Sequence, residues 1–184
     1  MRVVGLDLAG IQKNGTGYCL LLESGGKKTV STRILHSDAE IIDALKCDSP
    51  LDLVAVDAPL KYDGNRRGCD DILNGYGALP VSLRGMETLA KRGKAFADEL
   101  TVSGFKFIEV HSVSSAKILG IHHKGDFPMQ KAMMGLDLEG DLNSRILLRD
   151  ELDAVAAAVT AYLHLIGHTK NVGDCRGEIV IPAV

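Results

Sequence analysis

The chain opens with short apolar runs separated by turn residues, and its pattern then changes to helical spacing. "RVVGLDL" reads as a buried strand, "AGIQKNGTG" as a turn, "YCLLLES" as a second strand, and "GG" turns the chain into a third, "KKTVSTRIL". Connections this short cannot make parallel crossovers, so the three strands predict an antiparallel meander. In "SDAEIIDALKC" the apolar residues fall at helical intervals, and Ser37 with Glu40 three residues later forms a capping-box pattern. "LDLVAVD" is a fourth strand. From Ala58 to Arg84 the chain is rich in Gly, Pro, Asn and charge, with one short helix expected around Cys69 to Leu73. "GMETLAKRGKAFADELTVSG" predicts a helix closed by Gly104, and "FKFIEVH" a fifth strand. Short helical pieces divided by glycines and Pro128 follow. A long helix, "RDELDAVAAAVTAYL", then leads to a short strand, "GEIVIP". This order predicts an α/β fold, a mixed sheet with helices on both faces.

Composition narrows the class. A chain of 184 residues with 46% hydrophobic residues suits one domain, spanning residues 1–184, with a sizeable core. No apolar run is long enough to cross a bilayer and the N-terminus lacks a signal-peptide pattern, so no membrane partner is expected and a cytoplasmic protein is. The four cysteines form no CxxC pair, which predicts reduced thiols rather than a zinc knuckle or disulfide framework. A net charge of −3 offers no general electrostatic pull on nucleic acid. It does not exclude an acidic site that works through divalent cations, because bound metal inverts the local charge a phosphate meets.

Three strands carry an acid near the end of an apolar run: Asp7, Asp57 and Glu109. Strand alternation puts Asp57 on the face of Leu53 and Ala55, and Glu109 on that of Phe105 and Phe107. A helical crossover makes strands one and four parallel neighbours, so Asp7 and Asp57 leave the sheet at one carboxyl edge, where open α/β sheets bind ligands. The long helix begins with Asp150 and Asp153. At about 100° per residue Asp153 falls at the margin of the Leu152–Val155–Val159–Leu163 stripe, with Asp150 roughly 60° further toward solvent. Both also suit the positive end of a helix dipole, so the helix itself leaves two readings open. Gathering Asp7, Asp57, Glu109 and Asp153 without cations would raise their pKa values and oppose folding. Mg²⁺ or Mn²⁺ would resolve that repulsion, and two such ions about 4 Å apart can hold the attacking and leaving oxygens of a phosphoryl displacement.

The ordered segments "GLDLAG", "AVDAPL", "RRGCDD", "GMETLAKRG", "IEVH" and "DELDAVAAAVTA" resemble the DUF429 family of predicted nucleases with the RNase H fold. The terminal "DELDAVAAAV" is also similar to the acidic final helix of RuvC-type Holliday-junction resolvases. The resemblance implies a sheet of five main strands, and a metal-ligand role for Asp7, Asp57, Glu109 and Asp153, with Asp150 as a fifth ligand. Members commonly carry Pro after "EVH", where this chain has Ser112. The activity it implies is metal-dependent cleavage of DNA or RNA; a junction-cutting enzyme would need a homodimer to arrange two sites.

Among the remaining candidates, Arg66 and Arg84 flank turn residues and suit phosphate contacts, although exposed arginines also serve simply as solvated charge. His111 could ligate metal, position water or donate to a phosphate; a structural histidine fits equally well. Two other functions remain open. One is a non-catalytic module that binds nucleic acid or protein. The other is an ATP-dependent phosphotransferase of the actin-like class, with the hairpin at Gly15 to Gly17 cradling phosphates.

Overall fold

The computed structural model describes residues 1–183. Strands β1 (Arg2–Asp7), β2 (Thr16–Ser24) and β3 (Lys27–Leu35) form the expected antiparallel meander. Helix α1 (Asp38–Cys47) starts on the Ser37–Glu40 capping box and returns the chain to β4 (Leu53–Asp57), which runs parallel to β1. After α2 (Gly68–Leu73) and α3 (Met86–Val102) comes β5 (Phe107–Val110), parallel to β4. The helices α4 (Ser112–Ile118) and α5 (Asp126–Met134), strand β6 (Leu138–Gly140) and helix α6 (Asp141–Ser144) precede the long helix α7 (Arg149–Leu165). A hairpin of β7 (Thr169–Asp174) and β8 (Gly177–Pro182) ends the described chain.

The result is a mixed sheet of eight strands, ordered β6-β3-β2-β1-β4-β5-β8-β7, with helices on both faces. The five main strands and the C-terminal strand lie where the sequence puts them, and β6 and β7 are additions at the two edges. Strand β7 is polar and largely exposed, so no alternation announces it; pairing with the apolar β8 makes it a strand. Strand β5 ends at Val110, one residue before His111.

Alternation sorts each strand onto two cores. Val3, Cys19, Leu21, Leu53, Ala55 and Val110 pack against α7, while Val4, Leu6, Tyr18, Val54 and Val56 pack against α1 and α3. Helix α7 lies chiefly over β1 and β2, and its alanine-rich face touches the sheet almost backbone to backbone. Glycines make this contact. A β-carbon on Gly5 would collide with the Ala154 carbonyl and the Ala158 amide; one on Gly17 would collide with the Asp150 carbonyl. Interiors this dense cannot absorb an added methyl without moving the helix.

Gly5→Ala is therefore expected to destabilise the protein by about 1–3 kcal/mol, the usual cost of overpacking. Denaturant unfolding checks this, and a wild-type midpoint would contradict the close approach.

Candidate active site

Asp7 and Asp57 are the last residues of neighbouring parallel strands and are directly opposite each other in the ladder. Across the other side of β1, Asp7 is opposite Gly17. Alternation directs both aspartates to the α7 face, with Val3 and Gly5 on one strand and Leu53 and Ala55 on the other. The first turn of α7 sits on this row, because the backbone carbonyl of Asp150 rests on Gly17. Asp150 and Asp153, one turn apart, thus hang beside the strand-end pair. One oxygen of Asp57, Oδ2, accepts the Ser112 N–H at 3.0 Å from the start of α4.

Electrostatics confirm that these acids sense one another. The Asp7 carboxyl lies well above the usual carboxylate range, raised first by burial and then by Asp57, Asp153 and Asp150. Asp153 is pushed up to about 7 by burial and then by Asp57, with Asp150 and Asp126 adding to it and Arg149 opposing. Arg149 is itself engaged, donating to Asp126 at 2.9 Å and to the carbonyls of His123 and Lys124. Among the described residues no three His, Cys, Asp or Glu side chains converge on one point as ligands. Uncompensated like charges favour separation, and Asp57 spends one oxygen on Ser112. The donor chemistry nonetheless suits a hard cation: the acids offer only carboxylate oxygens, and the buried Ser112 hydroxyl beside Asp57 has no hydrogen-bond partner.

Glu109 is not part of this group. It pairs in register with Val56, one residue before the Asp57–Val110 pair, and therefore faces the opposite side of the sheet. There it is buried against Arg67, whose Nη1 lies 2.8 Å from Oε1, and accepts the Leu60 N–H at 2.7 Å. Burial pushes its carboxyl up to about 7 against the lowering pull of Arg67. The sequence assigned Glu109 a face on its own strand, and only the register between β4 and β5 shows that this is the other face from Asp57.

The candidate substrate contacts also separate. Arg66 is exposed and paired with Asp71, with Nε to Oδ1 at 2.7 Å. Arg84 is exposed in the segment before α3. His111 caps α4: its Nδ1 accepts the Ser114 N–H at 3.2 Å, the structural role. Arg67, which the sequence offers with Arg66 and Arg84 only as a general phosphate contact, is instead buried against Asp70 and Glu109. Its spacing of three residues from Asp70 was the available signal, since that spacing brings the two together at the start of a helix.

A carboxyl whose folded-state pKa is raised contributes stability that is fully present below its unfolded value and is lost as pH rises through the folded one. For Asp153 that window runs from 3.8 to about 7, and Glu109 acts in the same direction from 4.5 to about 7. In chelator, the melting temperature is expected to fall between about pH 5 and about pH 8. Asp153→Asn should flatten part of that fall; differential scanning fluorimetry of both proteins decides, and an identical slope would remove Asp153 from the coupled group.

Scans against protein-family models and against curated proteins return no match, so membership of the DUF429 family is not shown. Among solved structures, a RuvC structure from Thermus thermophilus matches with a TM-score of 0.56 at 16% identity, covering 91% of this chain and 97% of that one. Similarity of this extent at such low identity is similarity of fold, and the fold of this chain is RNase H-like.

Proposed function

We propose that the protein is a divalent-cation-dependent nuclease, in which Asp7, Asp57 and Asp153, with Asp150 beside them, hold Mg²⁺ or Mn²⁺ against a phosphodiester. The row formed by Gly17, Asp7 and Asp57 under the first turn of α7 carries this reading. The cations would supply positive charge at the scissile phosphate and a water of lowered pKa. The protein's part is placement. The parallel ladder fixes the separation of Asp7 and Asp57, and Gly17 lets α7 bring two further carboxylates down onto them. The Ser112 N–H turns Asp57 by holding Oδ2, which leaves Oδ1 as its free oxygen. The carboxyl pKa values are raised first by burial and then by mutual repulsion; a cation would offset both, and its binding is favoured at neutral and higher pH.

Phosphotransfer from ATP is less well supported. A β-carbon on Gly15 would strike Ile34, and one on Gly17 would strike α7, so packing accounts for both glycines without a bound phosphate.

Asp7→Asn should lower Mn²⁺-dependent cleavage of labelled DNA and RNA oligonucleotides by about a hundredfold or more, as expected for loss of a group acting at the transition state. The same change should raise the melting temperature of the cation-free protein, because it removes one repelling charge. Cleavage at the wild-type rate by a folded Asp7→Asn protein would sink the assignment.

A further inference from the structure

Arg67 belongs to the loop between β4 and α2, yet its side chain is only 3% exposed. Its guanidinium reaches three groups. Nε and Nη2 donate to Asp70 at 3.2 and 2.6 Å; Nη1 lies 2.8 and 3.1 Å from the two oxygens of Glu109, and 3.4 Å from the Lys61 carbonyl. Glu109 in turn holds the Leu60 N–H at 2.7 Å. Two backbone groups of the loop leaving Asp57, on its third and fourth residues, are thus tied to one buried ionic cluster. The cluster lies beside the most sparsely paired line of the sheet: β5 and β8 meet at the single register pair Val110–Val180. A β-carbon on Gly177 of β8 would lie 3.1 Å from Cδ and Nη1 of Arg67. A cavity of about 40 Å³ is lined by Asp57, Arg67, Asp70, Glu109 and His111 among others.

Stability alone does not account for such a cluster. Buried ion pairs replaced by apolar groups of similar volume are often neutral or stabilising, so what this one supplies is directional: a planar fork that fixes several groups at once. We propose that Arg67 is a positioning residue for Asp57, holding the loop Ala58–Lys61 against β5 so that Asp57 stays at the carboxylate edge with its oxygen on the Ser112 N–H. The cation role of Asp57 rests on the nuclease reading; its placement by Arg67 does not.

The experiment is native-state amide exchange on the cation-free protein, comparing wild type with Arg67→Lys, which keeps the charge and loses the fork. Leu60 and Ser112 report the two ends of the proposed linkage, and Ser112 lies outside the cluster. Val54, whose N–H donates to the Lys106 carbonyl at 2.9 Å at the opposite end of β4, is the internal control. Protection of Leu60 and Ser112 is expected to fall about tenfold relative to Val54, whereas a merely structural loss lowers all three together. Protection of Ser112 that tracks Val54 would overturn the proposal. Should Arg67→Lys fail to fold, the triple change Arg67→Met, Asp70→Leu, Glu109→Leu restores an apolar filling. It should regain wild-type stability with Ser112 still unprotected; full protection there would overturn the proposal equally. Calorimetric titration of Mn²⁺ into the same proteins separates the two readings. No binding to wild type, with Ser112 protection still dependent on Arg67, removes the metal and keeps the positioning role.

Discussion

The contact on which the rest depends is the near backbone-to-backbone seating of α7 on β1 and β2. Without side chains at Gly5 and Gly17, the helix descends until its own carbonyls touch the sheet. Its alanine face is the complementary half of the same constraint, since larger residues there would hold the helix away. The height of α7 above the sheet decides whether Asp150 and Asp153 meet the strand-end pair or remain ordinary acids at a helix start. The helix dipole favours them there in either case, and it moderates a charge density that the packing creates.

The two strand ends that carry the aspartates are each followed by a loop fastened by a partly or wholly buried arginine. After Asp7, Arg92 reaches across from α3 to the Ala9 carbonyl and to Asp38 at the start of α1. After Asp57, Arg67 performs the corresponding task from the opposite side of the loop. Strand ends are where a ladder stops restraining its chain, and side-chain forks replace the missing backbone bonds. The mutual repulsion of the carboxylates would otherwise be free to spread these loops.

Much of this was legible in the chain. The meander followed from connections too short to cross over, and the Asp7–Asp57 pair followed from two apolar runs each ending in an acid and joined through a helix. Glu109 was misplaced because alternation describes one strand at a time, whereas the face it shares with Asp57 depends on a register between two strands. Turn residues beside Arg66 single it out, but adjacent arginines in a loop carry no periodicity to say which is buried, and the buried one is Arg67. His111 looked like a strand residue because the apolar run continues to Val110, and the change to a helix cap is made by Ser114, whose N–H it takes. The polar β7 left no trace in the pattern, since its strand form is imposed by its partner.

Strand β8 is joined to β5 by one register pair but to β7 along its whole length, and α2 packs on that hairpin. Mechanically the sheet is two bodies of unequal size, a six-strand body and a hairpin with a small helix, riveted by an ionic cluster rather than stitched by a ladder. This line carries one register pair, against three between β3 and β6 and more between the other neighbours, so ladder hydrogen bonding contributes least here and side-chain packing and the ionic cluster contribute most. Asp70 belongs to α2 and Glu109 to β5, so Arg67 is the tie that spans the line between the two bodies.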